Sequence, residues 1–138
     1  MTAPFVYVHR VRFDEIDAAG IAYFANFLRW CHDAMDALLA SLDGGYASLV
    51  ARRRLGLPTV HVDADFASPM RFGDEVHVAL AVERLGTSSI ALRFDLRRGD
   101  GHLAATLRHV VVVCDLDAMC AHPIPEDLRS LFERHLTP

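Results

Sequence analysis

One long apolar stripe, followed almost entirely by strand patterns, constrains what this chain can fold into. Phe27, Cys31, Ala34, Met35, Leu38 and Leu42 recur at three- and four-residue steps, the spacing of one helix face, and Arg29, His32, Asp33 and Asp36 lie largely off it. Gly44-Gly45 ends that helix. Ahead of it, Phe5 to Asp14 alternates with period two, which predicts a strand. Tyr7, His9, Val11 and Phe13 share one face of it, and Val6, Val8, Arg10 and Arg12 the other. A shorter helix is expected over Tyr46 to Arg54, closed by Gly56 and Pro58.

From there the pattern is strand after strand. Thr59 to Ala67 carries Val60, Val62, Ala64 and Phe66 on one face and His61, Asp63 and Asp65 on the other. Ser68-Pro69 breaks it, and Phe72-Gly73-Asp74 turns into a strand over Glu75 to Leu85. Gly86-Thr87-Ser88 connects tightly to Ser89 to Arg97, and Gly99-Asp100-Gly101 is a hairpin signal. His102 to Leu116 is the longest strand, its valine run reading as buried on both faces. Pro123 and Pro125 precede a last amphipathic helix, Glu126 to His135. No crossover helices separate the later strands, so four strands in hairpin succession are expected. The fold class is α+β, an antiparallel sheet wrapped around one long helix in a single domain over 1–138, and not a doubly wound fold.

Composition narrows function. With 138 residues, 52% of them hydrophobic, the chain can bury a proper core unaided. Its longest strongly apolar run, Val110 to Cys114, is far short of the roughly 20 residues a spanning helix needs. No basic segment followed by an apolar stretch opens the chain, so no signal peptide and a cytoplasmic location are expected, without membrane association. A net charge of −4 gives no attraction to phosphate backbones, so nucleic acid is not an expected partner. All fourteen basic residues are Arg, which excludes Lys-based covalent catalysis. The three cysteines, Cys31, Cys114 and Cys120, suit reduced thiols.

The candidate site is the stretch Asp17-Ala18-Ala19-Gly20-Ile21-Ala22-Tyr23-Phe24-Ala25-Asn26-Phe27, between the first strand and the long helix. Asp17 reads either as a helix-cap or turn acid or as a working carboxylate beside the unpaired N–H groups that open a helix. Small neighbours and Gly20 let a substrate approach it closely, and Ile21 to Phe24 offers an apolar, aromatic wall. An attacking acid and donors that hold an oxyanion are the two parts of an acyl-transfer site.

That stretch resembles the signature of the 4-hydroxybenzoyl-CoA thioesterase family. Leu57-Pro58-Thr59-Val60-His61, Asp65-Phe66-Ala67-Ser68-Pro69 and Phe72-Gly73-Asp74 resemble the same family's second and third strands, so the likeness runs from about residue 5 to 125. It implies a hot-dog fold, hydrolysis of an acyl-CoA thioester, and active sites at subunit interfaces. It also implies that Asp17 is the nucleophile or the general base that activates water, and that the backbone N–H of Phe24 binds the thioester oxygen. Phe24 supplies no polar side chain where some relatives have Tyr or His.

Gly20, Tyr23, Asn26 and His61 are the implied substrate contacts. Asn26 reads equally well as a polar residue of the first helical turn, and His61 as a structural strand residue. Arg84, Thr87, Ser88 and Ser89 are the implied CoA contacts, with Arg93 and Arg71 as further basic residues; on residues alone the turn is simply a hairpin connection.

An aromatic acyl group, hydroxybenzoyl or dihydroxynaphthoyl, is favoured by Tyr23, Phe24, Phe27 and Trp30. A short aliphatic acyl-CoA or an acyl-carrier-protein substrate is the nearest alternative. A dehydratase pairing His61 with Asp33 or Asp36, and a non-catalytic acyl-CoA-binding module, are the rivals from other classes. No metal or other cofactor is expected, since Cys114, Cys120 and His122 form a weak trio without a second close pair. Open sheet edges predict a homo-oligomer, a dimer or a tetramer.

Overall fold

The computed structural model describes residues 2–137. Strand β1 (Phe5–Arg10) leads through a 3-10 turn (Phe13–Glu15) and a loop into α1 (Ala25–Leu39), and α2 (Gly45–Ala51) follows. Two-residue β2 (Leu55–Gly56) precedes β3 (Thr59–Phe66), β4 (Glu75–Leu85), β5 (Ser89–Arg98) and β6 (Leu103–Val112). Short β7 (Cys114–Asp115) and β8 (Cys120–Ala121) lead to α3 (Glu126–Glu133).

The main sheet is antiparallel with strand order β1-β4-β5-β6-β3, and β2-β7-β8 form a small second sheet. Within the main sheet, β4, β5 and β6 alone succeed one another as hairpins. The expected four-strand succession is therefore corrected: β3 pairs with β6, and the 67–74 connection carries the chain back across the sheet. Backbone bonding shows why. Ala67 and Ser68 both donate to Ala104 O, holding the chain on β6, and Met70 then turns inward and accepts from Ala22 N–H at 2.8 Å. The connection thus runs past the start of α1.

The stripe read from the sequence is the face that α1 buries. Phe27, Trp30, Cys31, Ala34, Met35, Leu38 and Leu39 pack in one core with the inward residues of the sheet, among them Val78, Leu80, Leu92, Phe94 and Leu107. Each large side chain so buried contributes about 1.5–3 kcal/mol. Leu128, Leu131 and Phe132 of α3 join the same core.

Several expected boundaries move. The first strand stops at Arg10 because Arg12 to Glu15 close a 3-10 turn, so Phe13 leaves the face it was expected to share with Tyr7 and His9 and is 79% exposed. Helix α1 ends at Leu39, and Gly44, at φ +78°, starts α2 earlier than expected. The long strand His102 to Leu116 divides, with β6 leaving the main sheet after Val112. Its valines alternate: Val111 and Val113 are buried while Val110 and Val112 are half-buried, since only one face of the sheet is covered.

Strand β3 forms one edge of the main sheet and, unlike the other edge strand β1, is exposed along its whole length. The docking of α3 is testable. Phe132→Ala should cost about 3–5 kcal/mol in urea unfolding, the usual result of emptying a fully buried aromatic site.

Candidate active site

Glu15, which nothing in the sequence analysis singled out, organises the loop that carries the candidate residues. Its side chain is buried inside the fold. Oε1 accepts the backbone N–H of Arg12 at 2.7 Å and His9 Nε2 at 2.8 Å, and Oε2 accepts the indole N–H of Trp30 at 2.8 Å. Its main-chain carbonyl accepts Tyr23 N–H and Asn26 Nδ2, both at 2.9 Å. One residue therefore ties β1, the 3-10 turn, the loop and the first turn of α1 together. Burial alone would push its carboxyl up, but the bonds from Arg12, His9 and Trp30 outweigh that and hold it below its ordinary value. The available signal was Trp30: an indole on a buried stripe needs an acceptor for its N–H.

Asp17 sits in a turn of its own. Its N–H donates to Ile21 O at 2.9 Å, its carbonyl accepts Gly20 N–H at 3.0 Å, and Oδ1 accepts Ala19 N–H at 2.9 Å. Gly20 has φ +81°, which favours glycine on conformational grounds alone, since open space surrounds its α-carbon. Asp17 is not the N-cap of α1 but an acid that closes a turn, the other half of the same reading. Helix α1 begins at Ala25 with Phe24 as its N-cap, and the carboxylate bonds within its own turn.

At that helix start, the N–H groups of Phe24 and Ala25 have no acceptor among the described residues. Beside them opens a cleft of about 410 Å³, lined by Ile21, Phe24, Phe27, Phe66, Pro69 and Met70, among others. Phe66 meets Phe24 and Phe27 edge-on, with centroids 6.4 and 5.2 Å apart. Tyr23, half-exposed, leans on Phe24 at 4.9 Å. Asp17 does not itself line this cleft; the turn it closes contributes Ile21 and Ala22 to the wall.

The remaining candidates are dispersed. One N–H of the Asn26 amide is committed to Glu15 O, which leaves the other N–H and Oδ1 for any ligand. His61 lies exposed on β3 and bonds Asp63 at 3.1 Å. It meets neither Asp33, which pairs with Arg29, nor Asp36, so the dehydratase pair does not assemble. The carbonyls of Gly86, Thr87 and Ser88 accept Arg129 Nη2, Ile124 N–H and Val113 N–H, locking that turn against the chain leading into α3. The exposed guanidinium of Arg84 has no ion-pair partner among the described residues, whereas Arg93 pairs with Asp95. Among the described residues no three His, Cys, Asp or Glu side chains gather at a metal-binding distance, and the ring of His122 bonds Pro123 O at 2.6 Å. Among the described residues no helix is long and apolar enough to cross a membrane.

A family profile described as the Thioesterase-like superfamily matches residues 11–132. The chain belongs to that superfamily. It is 33% identical over 126 residues to a 1,4-dihydroxy-2-naphthoyl-CoA hydrolase of Synechococcus sp. (strain CC9311), covering 86% of this chain and 83% of that one. Among solved structures it is similar to the dynemicin thioesterase, for which polyene binding is described, with TM-score 0.89, 31% identity and coverage of 98% and 99%. It is also similar to a gentisyl-coenzyme A thioesterase, with TM-score 0.80, 28% identity and coverage of 90% and 98%. The fold is the hot-dog fold and the chain is a thioesterase. The match stands at the level of the superfamily, which is the broader part of the likeness read from the sequence.

The role of Glu15 predicts an acid dependence. A folded value below the ordinary 4.5 means its contribution to stability is fully present above that pH and is lost as pH falls through the lower folded value. Glu15→Gln should remove this part of the acid limb of unfolding. Glu15→Ala, which strands the buried Trp30 N–H and two part-buried donors, should cost about 3 kcal/mol at pH 7.

Proposed function

We propose that the chain hydrolyses aromatic acyl-CoA thioesters with Asp17 as the acid that initiates hydrolysis. The observation that carries this reading is the pair of unpaired N–H groups opening α1, at Phe24 and Ala25, beside an apolar cleft and one short turn from a half-buried carboxylate. The thioester oxygen accepts Phe24 N–H, and the positive end of α1 stabilises the charge that grows on it. Asp17 either attacks the carbonyl carbon, expelling the CoA thiolate and forming a mixed anhydride that water opens, or removes a proton from the attacking water. Both routes need only the carboxylate, the N–H and water, so neither draws on a metal or redox cofactor.

Three phenylalanine rings at the cleft, Phe24, Phe27 and Phe66, favour a flat aromatic acyl group by edge-to-face contact. The dihydroxynaphthoyl-CoA and gentisyl-CoA activities of the relatives support the same choice. A polyene acyl group is the second reading, favoured by the likeness to the dynemicin thioesterase. Arg84, the exposed guanidinium without an ion pair beside Thr87, Ser88 and Ser89, is the proposed partner of the CoA phosphates. Steady-state kinetics over aromatic, polyene and short aliphatic thioesters should place kcat/KM highest for aromatic ones. Asp17→Asn should lower kcat by roughly a thousandfold. Unchanged turnover in that variant would refute the assignment of Asp17.

The working unit in this proposal is a homodimer joined through β3. An eight-residue edge strand without Pro or Lys, with Val60, Val62 and Phe66 respectively 62%, 40% and 51% exposed, is an open template for pairing. A second copy adding its own β3 would extend the sheet and wall the cleft at Phe66. Light scattering should therefore give twice the chain mass, and Val60→Lys with Val62→Lys should give a monomer of much reduced activity. A wild-type monomer would contradict the dimer.

A further inference from the structure

Beyond the first cleft, α1 and β3 enclose a second cavity of about 200 Å³, bounded by Cys31, His32, Met35, Val62, Phe94 and His109 among others. The two spaces are successive stretches of one groove. Helix α1 and its N-cap give Phe27 and Phe24 to the first and Cys31 and Met35 to the second, while β3 gives Phe66 to the first and Val62 to the second. Phe24 to Cys31 is an advance of about 10 Å along the helix, and Phe66 to Val62 about 13 Å along the strand. A two-ring acyl group whose thioester lies at Phe24 N–H would reach from one space into the next.

His109 is the anomaly there. It sits on the inward face of β6, opposite Leu92 of β5 and Val62 of β3, and its ring leans on Phe94 with centroids 4.8 Å apart. Among the described residues it carries the one buried side-chain nitrogen or oxygen, Nε2, with no hydrogen-bond partner. Its inward neighbours on β6 are Ala105, Leu107 and Val111, all apolar. A polar ring left unpaired in such a row costs stability that an aliphatic side chain would not.

We propose that His109 is a specificity-determining residue of this second cavity, bonding a hydroxyl on the part of the acyl group remote from the thioester. Burial pushes the imidazole down despite the opposing charge of Asp63, so the ring is neutral at pH 7 and offers one donor and one acceptor. That pair suits a phenolic hydroxyl, which donates and accepts, better than a carboxylate, which only accepts. Turning of the imidazole about its soft outer torsion brings a nitrogen to the space its ring already lines. The inference rests on the reading of the chain as an aromatic acyl-CoA thioesterase.

The test uses two naphthoyl-CoA thioesters that differ only by a hydroxyl on the ring remote from the thioester. Their kcat/KM values are measured with the wild type, His109→Phe and His109→Gln. The wild type should favour the hydroxylated ester by about tenfold or more. That ratio should collapse toward one in His109→Phe and be partly kept in His109→Gln. The Tm of His109→Phe should equal or exceed that of the wild type, since no hydrogen bond is lost. A wild-type ratio near one, or a preference that survives in His109→Phe, overturns the role of His109 while leaving hydrolysis in place. Hydrolysis of neither ester by the wild type overturns the reading of the reaction, and this inference with it.

Discussion

The buried carboxylate of Glu15 holds three donors from separate parts of the chain, and the loop between β1 and α1 takes its shape from them. His9 fixes it to the first strand, Arg12 N–H to the 3-10 turn, and the indole of Trp30 to the core side of α1. The same residue's carbonyl fixes Tyr23 and Asn26. With both ends of the loop pinned, the intervening chain can leave the N–H groups of Phe24 and Ala25 without acceptors and still be ordered. An unpaired helix start is costly unless water or a ligand meets it, and such preorganised donors are what an oxyanion site requires. The stability lent by Glu15 and the chemistry proposed for Asp17 and Phe24 are thus linked through one carboxylate.

The second constraint is that the main sheet ends in bare β3. The first cleft is bounded on that side by Phe66, a half-exposed residue of the edge strand, and the second by Val62 four residues back. The groove between α1 and β3 therefore runs along the border where another copy would pair. Pairing there would give both the edge strand and the groove their missing neighbour. This is why the proposed activity and the proposed dimer stand together.

Much of the fold was legible because its signals are periodic. The stripe from Phe27 to Leu38 and the alternation in β1, β4 and β5 each follow from burial on one face, and the structure returns them with shifts of a few residues. Strand order was not legible. Hairpin turns announce neighbours in sequence, whereas the β3–β6 pairing depends on the Ala67 and Ser68 bonds to Ala104 and the inward turn at Met70, which leave no periodic trace. The loop at Asp17 stood out by residue type and spacing. Glu15 did not, because an acid two residues before a candidate nucleophile looks like surface until Trp30 is seen to point at it. His109 was hidden for a similar reason: within a run of strand residues, a missing hydrogen bond is visible only in three dimensions.

The most direct measurement compares turnover of one aromatic acyl-CoA by Phe24→Pro and Phe24→Ala. Both remove the ring, but only proline removes the N–H. Phe24 has φ −57°, which the proline ring accepts, and its N–H bonds nothing else in the described protein, so relative to alanine the proline closes the N–H position without breaking a backbone bond. The account predicts that Phe24→Pro lowers kcat roughly 100- to 1000-fold beyond Phe24→Ala, the usual loss of one oxyanion donor. Equal rates for the two variants would contradict it.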